Sequence, residues 1–262
     1  RQHLVNANFE LMDKFALQAG AYRFFWNSID WLFPPECIGC GKEGVLICME
    51  CWHSMVRANV DSCIYCGAQL PKRGVCTRCE HLQHAIHELR YVAAYQGVMR
   101  TAIHRLKYER DLGIALELAD MLAQIMQATS WQIDLIMPVP LSEKRKAQRG
   151  YNQAALLAYP LSLQLHIPEN TKGLVRVHET RSQVNLNFKE RQENVQGAFS
   201  ADPAMVKDKT ILLVDDVFTT GATINAAAAA LREAGSKRVY ALTVAKALGR
   251  QVTIENAPAI DV

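Results

Sequence analysis

Short apolar runs alternate with longer amphipathic segments over the last two thirds of the chain. From about residue 86 the apolar runs are rich in β-branched residues, which favour strands, and the segments between them repeat apolar residues at helical spacing. The predicted strands are Glu88–Tyr95, Ile133–Met137, Leu174–His178, Thr210–Val214 and Arg238–Val244, and the predicted helices lie at about 98–107, 113–128, 151–165 and 222–234. This alternation predicts an α/β fold, with a mostly parallel sheet and flanking helices.

The first third of the chain has a different pattern. Apolar residues such as Phe9 and Met12 recur three and four positions apart, which predicts a helical extension that ends before two prolines. The following segment carries all the cysteines and shows little periodicity, as in a small module held by metal. We therefore divide the chain into the extension (1–35), the cysteine module (36–85), the α/β domain (86–248) and a C-terminal tail (249–262).

The eight cysteines form four C-x2-C pairs, and two thiolates on one tight turn can chelate the same ion. The pairs are Cys37/Cys40, Cys48/Cys51, Cys63/Cys66 and Cys76/Cys79. Two pairs complete a tetrahedral site, so the sequence predicts two structural Zn²⁺ ions in a double zinc ribbon. An iron–sulfur cluster and a disulfide framework are the alternatives, but cluster spacings differ and cytosolic disulfides are uncommon. Sequential pairing is favoured, and interleaved pairing, as in a RING, stays open.

Charge and hydropathy exclude two classes of protein. The chain has 29 Lys and Arg against 26 Asp and Glu, and a net charge of +3 does not mark the whole chain as a binder of polyanions. No apolar run reaches the length of about 18 residues that a membrane helix needs, so we predict no membrane insertion. Because a secretory cleavage site is not recognisable and the cysteines are spaced for metal, we predict a cytoplasmic protein.

The most specific motif directly follows the predicted strand Thr210–Val214. It consists of Asp215, Asp216, Val217, Phe218, Thr219, Thr220, Gly221, Ala222 and Thr223. The Thr-Thr-Gly-Ala-Thr loop would present backbone N–H groups and hydroxyls at a helix N-terminus, where a phosphate dianion is favoured. Two adjacent carboxylates can accept hydrogen bonds from vicinal hydroxyls and help to seat Mg²⁺ through its waters. The motif thus predicts a site for a ribose 5-phosphate, whereas a plain capped helix would leave the paired acids unexplained.

This motif resembles the 5-phosphoribosyl 1-pyrophosphate (PRPP) motif of type I phosphoribosyltransferases. The resemblance implies that Asp215 and Asp216 hold the ribose hydroxyls and that residues 219–223 hold the 5-phosphate. Phe218 stands where a smaller aliphatic residue is usual. Thr219 stands where purine salvage enzymes often have an acid, which counts against a 6-oxopurine acceptor.

Further segments, in the same order along the chain, resemble the ComF family of bacterial cytoplasmic proteins linked to DNA uptake in natural competence and to DNA use. They are Leu32-Phe33-Pro34, Leu106-Lys107-Tyr108, Pro138-Val139-Pro140-Leu141, Arg149-Gly150-Tyr151-Asn152-Gln153, Arg181-Ser182-Gln183, Glu193-Asn194-Val195 and Gly197-Ala198-Phe199. The resemblance covers about residues 28–248. It also implies that the polar segment 179–197 is a flexible hood that closes over PRPP.

Basic residues near these segments are candidates for anionic ligands. The resemblance implies pyrophosphate contacts for Val139, Pro140, Leu141, Arg181 and Lys107. A basic strip with Tyr108 and Tyr151 for base stacking would suit single-stranded DNA. The candidates for this strip are Arg105, Lys107, Arg110, Lys144, Arg145, Lys146 and Arg149.

The leading hypothesis is a phosphoribosyltransferase-like protein that binds PRPP with Mg²⁺ and acts on imported single-stranded DNA in natural transformation. Its further partner would be a competence helicase or a recombination-loading protein. Two alternatives stay open: a nucleotide-salvage phosphoribosyltransferase with a structural zinc cap, and a non-catalytic adaptor that senses PRPP and binds DNA. A catalysed reaction would displace pyrophosphate from the anomeric carbon by positioning and charge stabilisation. The sequence identifies neither a catalytic group nor the acceptor.

Overall fold

The computed structural model describes residues 34–109, 111, 113–177 and 197–248, together with positions 15, 17, 18, 20–22 and 24, which are helical. The helices are α1 (Met49–His53), α2 (Thr77–Glu80), α3 (Gly97–His104), α4 (Gly113–Gln127), α5 (Glu143–Arg149), α6 (Gln153–Leu165), α7 (Pro203–Val206) and α8 (Ala222–Glu233). The strands are β1 (Glu88–Ala94), β2 (Leu135–Pro138), β3 (Leu174–Arg176), β4 (Phe199–Ala201), β5 (Thr210–Phe218) and β6 (Arg238–Lys246). A π-helical turn, Arg105–Glu109, continues from α3.

Four parallel strands form the main sheet in the order β1-β6-β5-β2. The central strand β5 is buried on both faces, and its side chains alternate between two apolar clusters. Leu212 and Val214 pack with α3, α4 and α6 on one face, whereas Ile211 and Leu213 pack with α8 on the other. The predicted α/β class with a mostly parallel sheet and flanking helices is therefore confirmed.

One predicted strand lies outside this sheet. Leu174–Arg176 pairs antiparallel with β4 in a separate two-stranded ribbon, so the strand predicted at Leu174–His178 is present over its first three residues but does not belong to the main sheet. Only Leu174 of β3 is fully buried, while Val175 is exposed, so this short apolar run covers the edge of the core instead of crossing it. His178 lies outside the described residues.

Two helical segments also differ from expectation. The helix predicted at about 98–107 ends at His104, and the π turn that follows changes the direction of the next side chains. The helix α5 was not predicted, because none of its residues is buried and its sequence therefore has no apolar periodicity. Ser142 caps α5 by accepting a hydrogen bond from the N–H of Arg145 (3.4 Å).

The cysteine module covers the outer edge of β1. The N–H of Ala94 donates to the carbonyl of Val56 (2.7 Å), and the N–H of Leu89 donates to the carbonyl of Ile64 (2.6 Å). In the opposite direction, the N–H of Ala58 donates to the carbonyl of Val92 (2.9 Å). The module thus satisfies backbone groups that an edge strand would otherwise leave unpaired. Across the part of the chain that the structure describes, no helix has the length and apolar character to cross a membrane.

Candidate functional site

The cysteines gather into two groups of four, and within each group all sulfur atoms lie within 4.8 Å of one another. One group is Cys37, Cys40, Cys48 and Cys51, and the other is Cys63, Cys66, Cys76 and Cys79. This is the sequential arrangement, so the favoured pairing is confirmed and the interleaved one is wrong. Four sulfur ligands leave no open coordination position, which is typical of structural zinc.

In each group, the surroundings of one sulfur favour the thiolate form that binds metal. The backbone N–H of Cys48 donates to Sγ of Cys37 (3.4 Å), and that of Cys76 donates to Sγ of Cys63 (3.4 Å). Burial alone would raise the pKa of Cys37, but hydrogen bonds from Cys48 and other backbone amides lower it to about 6. The same balance lowers the pKa of Cys63 to about 7.

Close packing around the first group leaves no room for a larger residue at one glycine. A Cβ on Gly39 would lie 2.6 Å from Sγ of Cys51 and 2.8 Å from Cγ2 of Val98. Val98 belongs to α3, so the first cysteine group is packed directly against the α/β domain. The second group is joined to the domain through Tyr91, whose hydroxyl donates to the carbonyl of Gly67 (3.0 Å).

A cavity of about 710 Å³ opens at the carboxyl ends of the parallel strands. The residues that line it come from the segments after β1 and β2, from the π turn, from α5 and the start of α6, from β3, and from the β5–α8 motif. They include Tyr95, Lys107, Tyr108, Val139, Pro140, Leu141, Arg145, Gln148, Arg149, Tyr151, Gln153, Arg176, Asp215, Asp216, Val217, Thr219 and Thr223. This position matches the general rule for ligand sites in open α/β sheets.

The paired acids belong to the C-terminal part of the strand, whereas the sequence predicts that they follow it. β5 extends to Phe218, and Asp215 pairs in register with Thr243 of β6. The ring of Phe218 is buried, and it passes so close to Gly221 that a Cβ there would lie 2.5 Å from Cζ. Gly221 has φ of +82°, a conformation that glycine adopts without strain. The large residue at position 218 is therefore accommodated by the glycine of the loop.

The loop leads directly into the N-terminus of a twelve-residue helix, α8. Gly221 is the N-cap and has no side chain with which to cap the helix, while Oγ1 of Thr220 accepts the N–H of Ala222 (3.4 Å). Thr219 and Thr223 both face the cavity. Backbone N–H groups and the helix dipole thus favour an anion at this end of the cavity.

A largely buried ion pair forms the floor of the cavity. The ammonium group of Lys107 pairs with Oδ2 of Asp216, and Nε2 of Gln153 donates to Oδ1 of the same carboxylate (2.9 Å). Burial alone would raise the pKa of Asp216, but Lys107 and Gln153 more than offset this and lower it. Burial alone would lower the pKa of Lys107, and Asp216 raises it instead.

In Asp215, the other acid of the pair, the effects that raise the pKa prevail. Burial, together with the negative charge of Asp216, raises the pKa of Asp215 well above its ordinary value. Oδ1 of Asp215 accepts the backbone N–H of Asp216 (2.9 Å). Two neighbouring carboxylates with pKa values shifted in opposite directions, in one cavity, are a frequent feature of functional sites.

Among the described residues, three of the predicted basic side chains line the cavity: Lys107, Arg145 and Arg149. The guanidinium group of Arg149 lies 5.4 Å from the ring centroid of Tyr108, which is 66% exposed at the cavity mouth. The predicted pyrophosphate loop, Val139, Pro140 and Leu141, lines the same cavity.

The other described candidates for the basic strip do not line the cavity. The guanidinium group of Arg105 pairs with Asp111 (2.7 Å) and with Glu109 (3.7 Å). Lys144 and Lys146 are exposed on α5 and do not line the cavity. Arg110, Arg181 and the predicted hood at 179–197, apart from Gly197, lie outside the described residues.

Gln153 belongs to one of the segments that resemble the ComF family, but the sequence alone predicts no role for it. The structure places it between Asp216 and Arg149, and its carbonyl oxygen accepts a hydrogen bond from the guanidinium group of Arg149. Tyr95 and Arg176 also line the cavity without having been singled out. The segment Arg149-Gly150-Tyr151-Asn152-Gln153 was the available signal, because it concentrates polar side chains at the start of an otherwise apolar helix.

Comparison with known families agrees with both parts of the structure. Residues 105–258 match the phosphoribosyl transferase domain, and residues 28–80 match the double zinc ribbon domain. The two four-cysteine groups fit this double zinc ribbon.

Curated relatives cover most of the chain. Competence protein F of Haemophilus influenzae is 31% identical over 231 residues, which are 82% of this chain and 98% of that protein. DNA utilization protein YhgH of Escherichia coli O157:H7 is 32% identical over 212 residues, which are 77% of this chain and 91% of that protein. Among solved structures, the glutamine PRPP amidotransferase from B. subtilis complexed with ADP and GMP aligns at 19% identity with a TM-score of 0.39, covering 54% of this chain and 30% of that chain.

The fold and the two domain matches together define a phosphoribosyl transferase domain that carries a double zinc ribbon. At this identity and coverage, the chain belongs to the ComF family, which includes competence protein F and the DNA utilization proteins. The family resemblance noted from the sequence is thereby confirmed.

Proposed function

We propose that the chain binds PRPP, together with Mg²⁺, in the cavity at the carboxyl ends of the sheet. One observation carries the proposal: the paired acids of β5, the N-terminus of α8 and the Val139–Leu141 loop all line a single cavity of about 710 Å³. A phosphate site at one end and acids for a diol nearby match the two ends of a ribose 5-phosphate. Cationic side chains that line the same cavity match a pyrophosphate group.

In this proposal the 5-phosphate binds at 219–223, and the ribose hydroxyls donate to Asp215 and Asp216. The pyrophosphate binds beside Lys107 and the Val139–Leu141 loop, and Arg145 and Arg149 of α5 add positive charge. Arg181 stays a proposed contact in the segment beyond the described residues. The chain thus provides for an anionic ligand along the length of the cavity.

The donor set at the acids also fits Mg²⁺. Two adjacent carboxylates reach the cavity, and carboxylate oxygens are the protein ligands that Mg²⁺ accepts, directly or through water. When bound, Mg²⁺ would neutralise charge on the pyrophosphate oxygens. Asp215 is the better candidate for this contact, because Asp216 is already paired with Lys107 and Gln153.

We further propose that the protein acts in the cytoplasm on imported single-stranded DNA. The names of the relatives, a competence protein and DNA utilization proteins, support this role. Tyr108 and Arg149 at the cavity mouth offer an aromatic face and a cation, the two features that single-stranded nucleic acid needs. Lys144 and Lys146 would extend the positive surface along α5. A competence helicase or a recombination-loading protein is the proposed protein partner.

The decisive experiment is calorimetric titration of the zinc-loaded chain with PRPP and Mg²⁺, with ribose 5-phosphate and pyrophosphate as separate control ligands. The proposal expects PRPP to bind more tightly than either control, and the binding to weaken at least tenfold in Asp215→Ala. Equal binding by the wild type and this variant would sink the assignment of the cavity.

A second titration distinguishes the three hypotheses. If a single-stranded oligonucleotide binds and changes PRPP affinity, the coupling must be reciprocal, and the role in DNA handling is supported. If DNA does not bind at low salt and a free nucleobase releases pyrophosphate from PRPP, the salvage enzyme is the better description. If DNA and PRPP bind but no pyrophosphate is released with DNA or bases, the adaptor is favoured.

A further inference from the structure

Three consecutive side chains at the start of α6 reach three different walls of the cavity. The hydroxyl of Tyr151 donates to the carbonyl of Leu106 in the π turn (2.5 Å). Nδ2 of Asn152 donates to the carbonyl of Val139 in the loop after β2 (3.0 Å). Gln153 donates to Asp216 at the end of β5 (2.9 Å). The N-terminus of α6 is therefore tied to three of the segments that hold a predicted ligand contact, namely the π turn, the loop after β2 and the end of β5.

Both ends of the Gln153 amide are engaged. Its N–H group donates to the carboxylate, and its oxygen accepts from the guanidinium group of Arg149. Only this orientation of the amide is chemically consistent, since a carboxylate accepts and a guanidinium donates. Gln153 is 4% exposed and Asp216 is 3% exposed, so water does not compete for these bonds.

The backbone that carries Gln153 is itself fixed. Oδ1 of Asn152 accepts the N–H of Ala154 (3.1 Å) and caps α6, while the other end of the same amide holds Val139. A capped first turn restricts the position from which the Gln153 side chain extends. The side chain thus bridges two charged groups from a rigid base.

We propose that Gln153 is a positioning residue for PRPP, which holds the carboxylate of Asp216 and the guanidinium of Arg149 in the arrangement that the ligand needs. Asp216 meets the ribose end of the ligand and Arg149 meets its anionic end. One amide therefore sets the spacing between the two contacts. This inference rests on the proposed binding of PRPP.

The proposal predicts that loss of the Gln153 amide affects PRPP more than either of its fragments. PRPP needs Asp216 and Arg149 in the correct relative position, whereas ribose 5-phosphate meets only the ribose end of the site and pyrophosphate meets only the anionic end. A merely structural role for Gln153 would weaken the binding of all three ligands alike.

The test compares Gln153→Met with Gln164→Met, a matched control on the same helix. Nε2 of Gln164 also donates to a carboxylate, that of Asp120, but Gln164 does not line the cavity. Calorimetry with Mg²⁺ is run at pH 7 on the zinc-loaded wild type and both variants, with PRPP, ribose 5-phosphate and pyrophosphate as separate ligands. We expect Gln153→Met to weaken PRPP binding about tenfold, as for loss of a hydrogen bond to a charged group, and to change the binding of either fragment by less than about threefold. Gln164→Met should keep the wild-type affinity for all three ligands.

The possible results separate this inference from the proposed function. A wild type that does not bind PRPP overturns the proposed function, and this inference with it. A wild type that binds, with Gln153→Met equal to it in PRPP affinity or weakened equally for PRPP and both fragments, overturns the inference alone. If Gln153→Met fails to fold by circular dichroism, Gln153→Glu decides, because it keeps the shape and the acceptor for Arg149 but cannot donate to Asp216 when ionised. Wild-type affinity in that variant at pH 7 overturns the inference, and a loss of about tenfold or more supports it.

Discussion

Lys107 and the buried Asp216 form an ion pair that joins the π turn to the end of β5. The two residues come from distant parts of the chain, and each shifts the pKa of the other in the direction that keeps it charged. The pair therefore places a fixed positive and a fixed negative group side by side on the cavity floor. A ligand with both a diol and phosphates meets complementary partners there.

Removing one member of this pair should destabilise the protein. Lys107→Met leaves the Asp216 carboxylate buried without its counter-ion, and we expect a loss of about 3 kcal/mol in the free energy of unfolding at pH 7, measured by urea denaturation. Lys144→Met, on the exposed face of α5, is the control and should change this free energy by less than about 0.5 kcal/mol. A loss in the control as large as in Lys107→Met would contradict the role of the pair.

The difference in unfolding free energy between the wild type and Lys107→Met should depend on pH. The directions of the pKa shifts of Asp216 and Lys107 determine this dependence. The pKa of Asp216 is lowered from 3.8, so its contribution is present above this pH and is lost as the pH falls below it. The pKa of Lys107 is raised from 10.5, so its contribution is full below this pH and is lost as the pH rises through the folded value. The difference between wild type and Lys107→Met should thus be largest between these limits. A difference that grows below pH 3.8 would be incompatible with the ion pair.

Loss of the charge at Asp215 and loss of the charge at Asp216 should change the unfolding temperature in opposite directions. Asp215→Asn removes a carboxylate whose raised pKa shows that its charge is unfavourable in the fold, so we expect the unfolding temperature to rise by about 2 °C or more at pH 7. This gain should vanish below pH 3.8, where the carboxyl is protonated in both states. Asp216→Asn should lower the unfolding temperature at pH 7, because it breaks the pair with Lys107. Both variants are compared by calorimetric melting, and a shift of the same sign in both would refute this division.

The contact between Phe218 and Gly221 can be measured with a glycine elsewhere as reference. Gly221→Ala combines a positive φ with a clash against the Phe218 ring, and we expect a loss of about 2–4 kcal/mol in unfolding free energy. Gly150→Ala has nearly the same φ, +84°, but a Cβ there meets no atom within 4 Å, so only the backbone cost of about 1 kcal/mol should appear.

Gly221→Ala should lose more unfolding free energy than Gly150→Ala. A double-mutant cycle with Phe218→Val tests whether the Phe218 ring causes this additional loss. In the Phe218→Val background, Gly221→Ala should cost about as much as Gly150→Ala does in the wild type. Additive effects of the two substitutions would show that the ring does not set the requirement for glycine.

The first zinc site should be sensitive to one methyl group. Gly39→Ala places a Cβ against Sγ of Cys51 and the Val98 side chain, so we expect the zinc content of the purified chain to fall from about two per chain toward one. Gly74→Ala, near the second cysteine group, is the control. A Cβ at this position would lie 3.9 Å from its nearest neighbour, the carbonyl oxygen of Lys72. Elemental analysis by mass spectrometry provides the count. Two zinc ions retained in Gly39→Ala would show that the packing around Cys51 can adjust.

Sequence alone predicted the parts of the site whose signal is local. The C-x2-C pairs are chelating on their own, and Ile211–Val214 followed by two acids and a small-residue loop is readable because the strand, the loop and the helix are contiguous. The central strand is also predictable since burial on both faces leaves an unbroken apolar run.

The other parts depend on contacts that no local pattern records. Gln153 is one polar residue at the start of an apolar helix, and its role appears only when β5 and α5 are placed next to it. The π turn that aims Lys107 into the cavity continues the apolar spacing of α3, so periodicity alone predicts an ordinary helix there. Leu174–Arg176 has the composition of a sheet strand, and its partner Phe199–Ala201 is too short to reveal the ribbon.

The hydrogen bonds between the cysteine module and β1 mean that the edge of the sheet is covered only while zinc holds the module folded. If metal is lost and the module unfolds, the carbonyls of Val56 and Ile64 no longer occupy the outer side of β1. The strand then presents a row of unpaired donors and acceptors, which is a template for pairing with another chain. Zinc would therefore protect the chain against self-association through this strand, in addition to holding the module together.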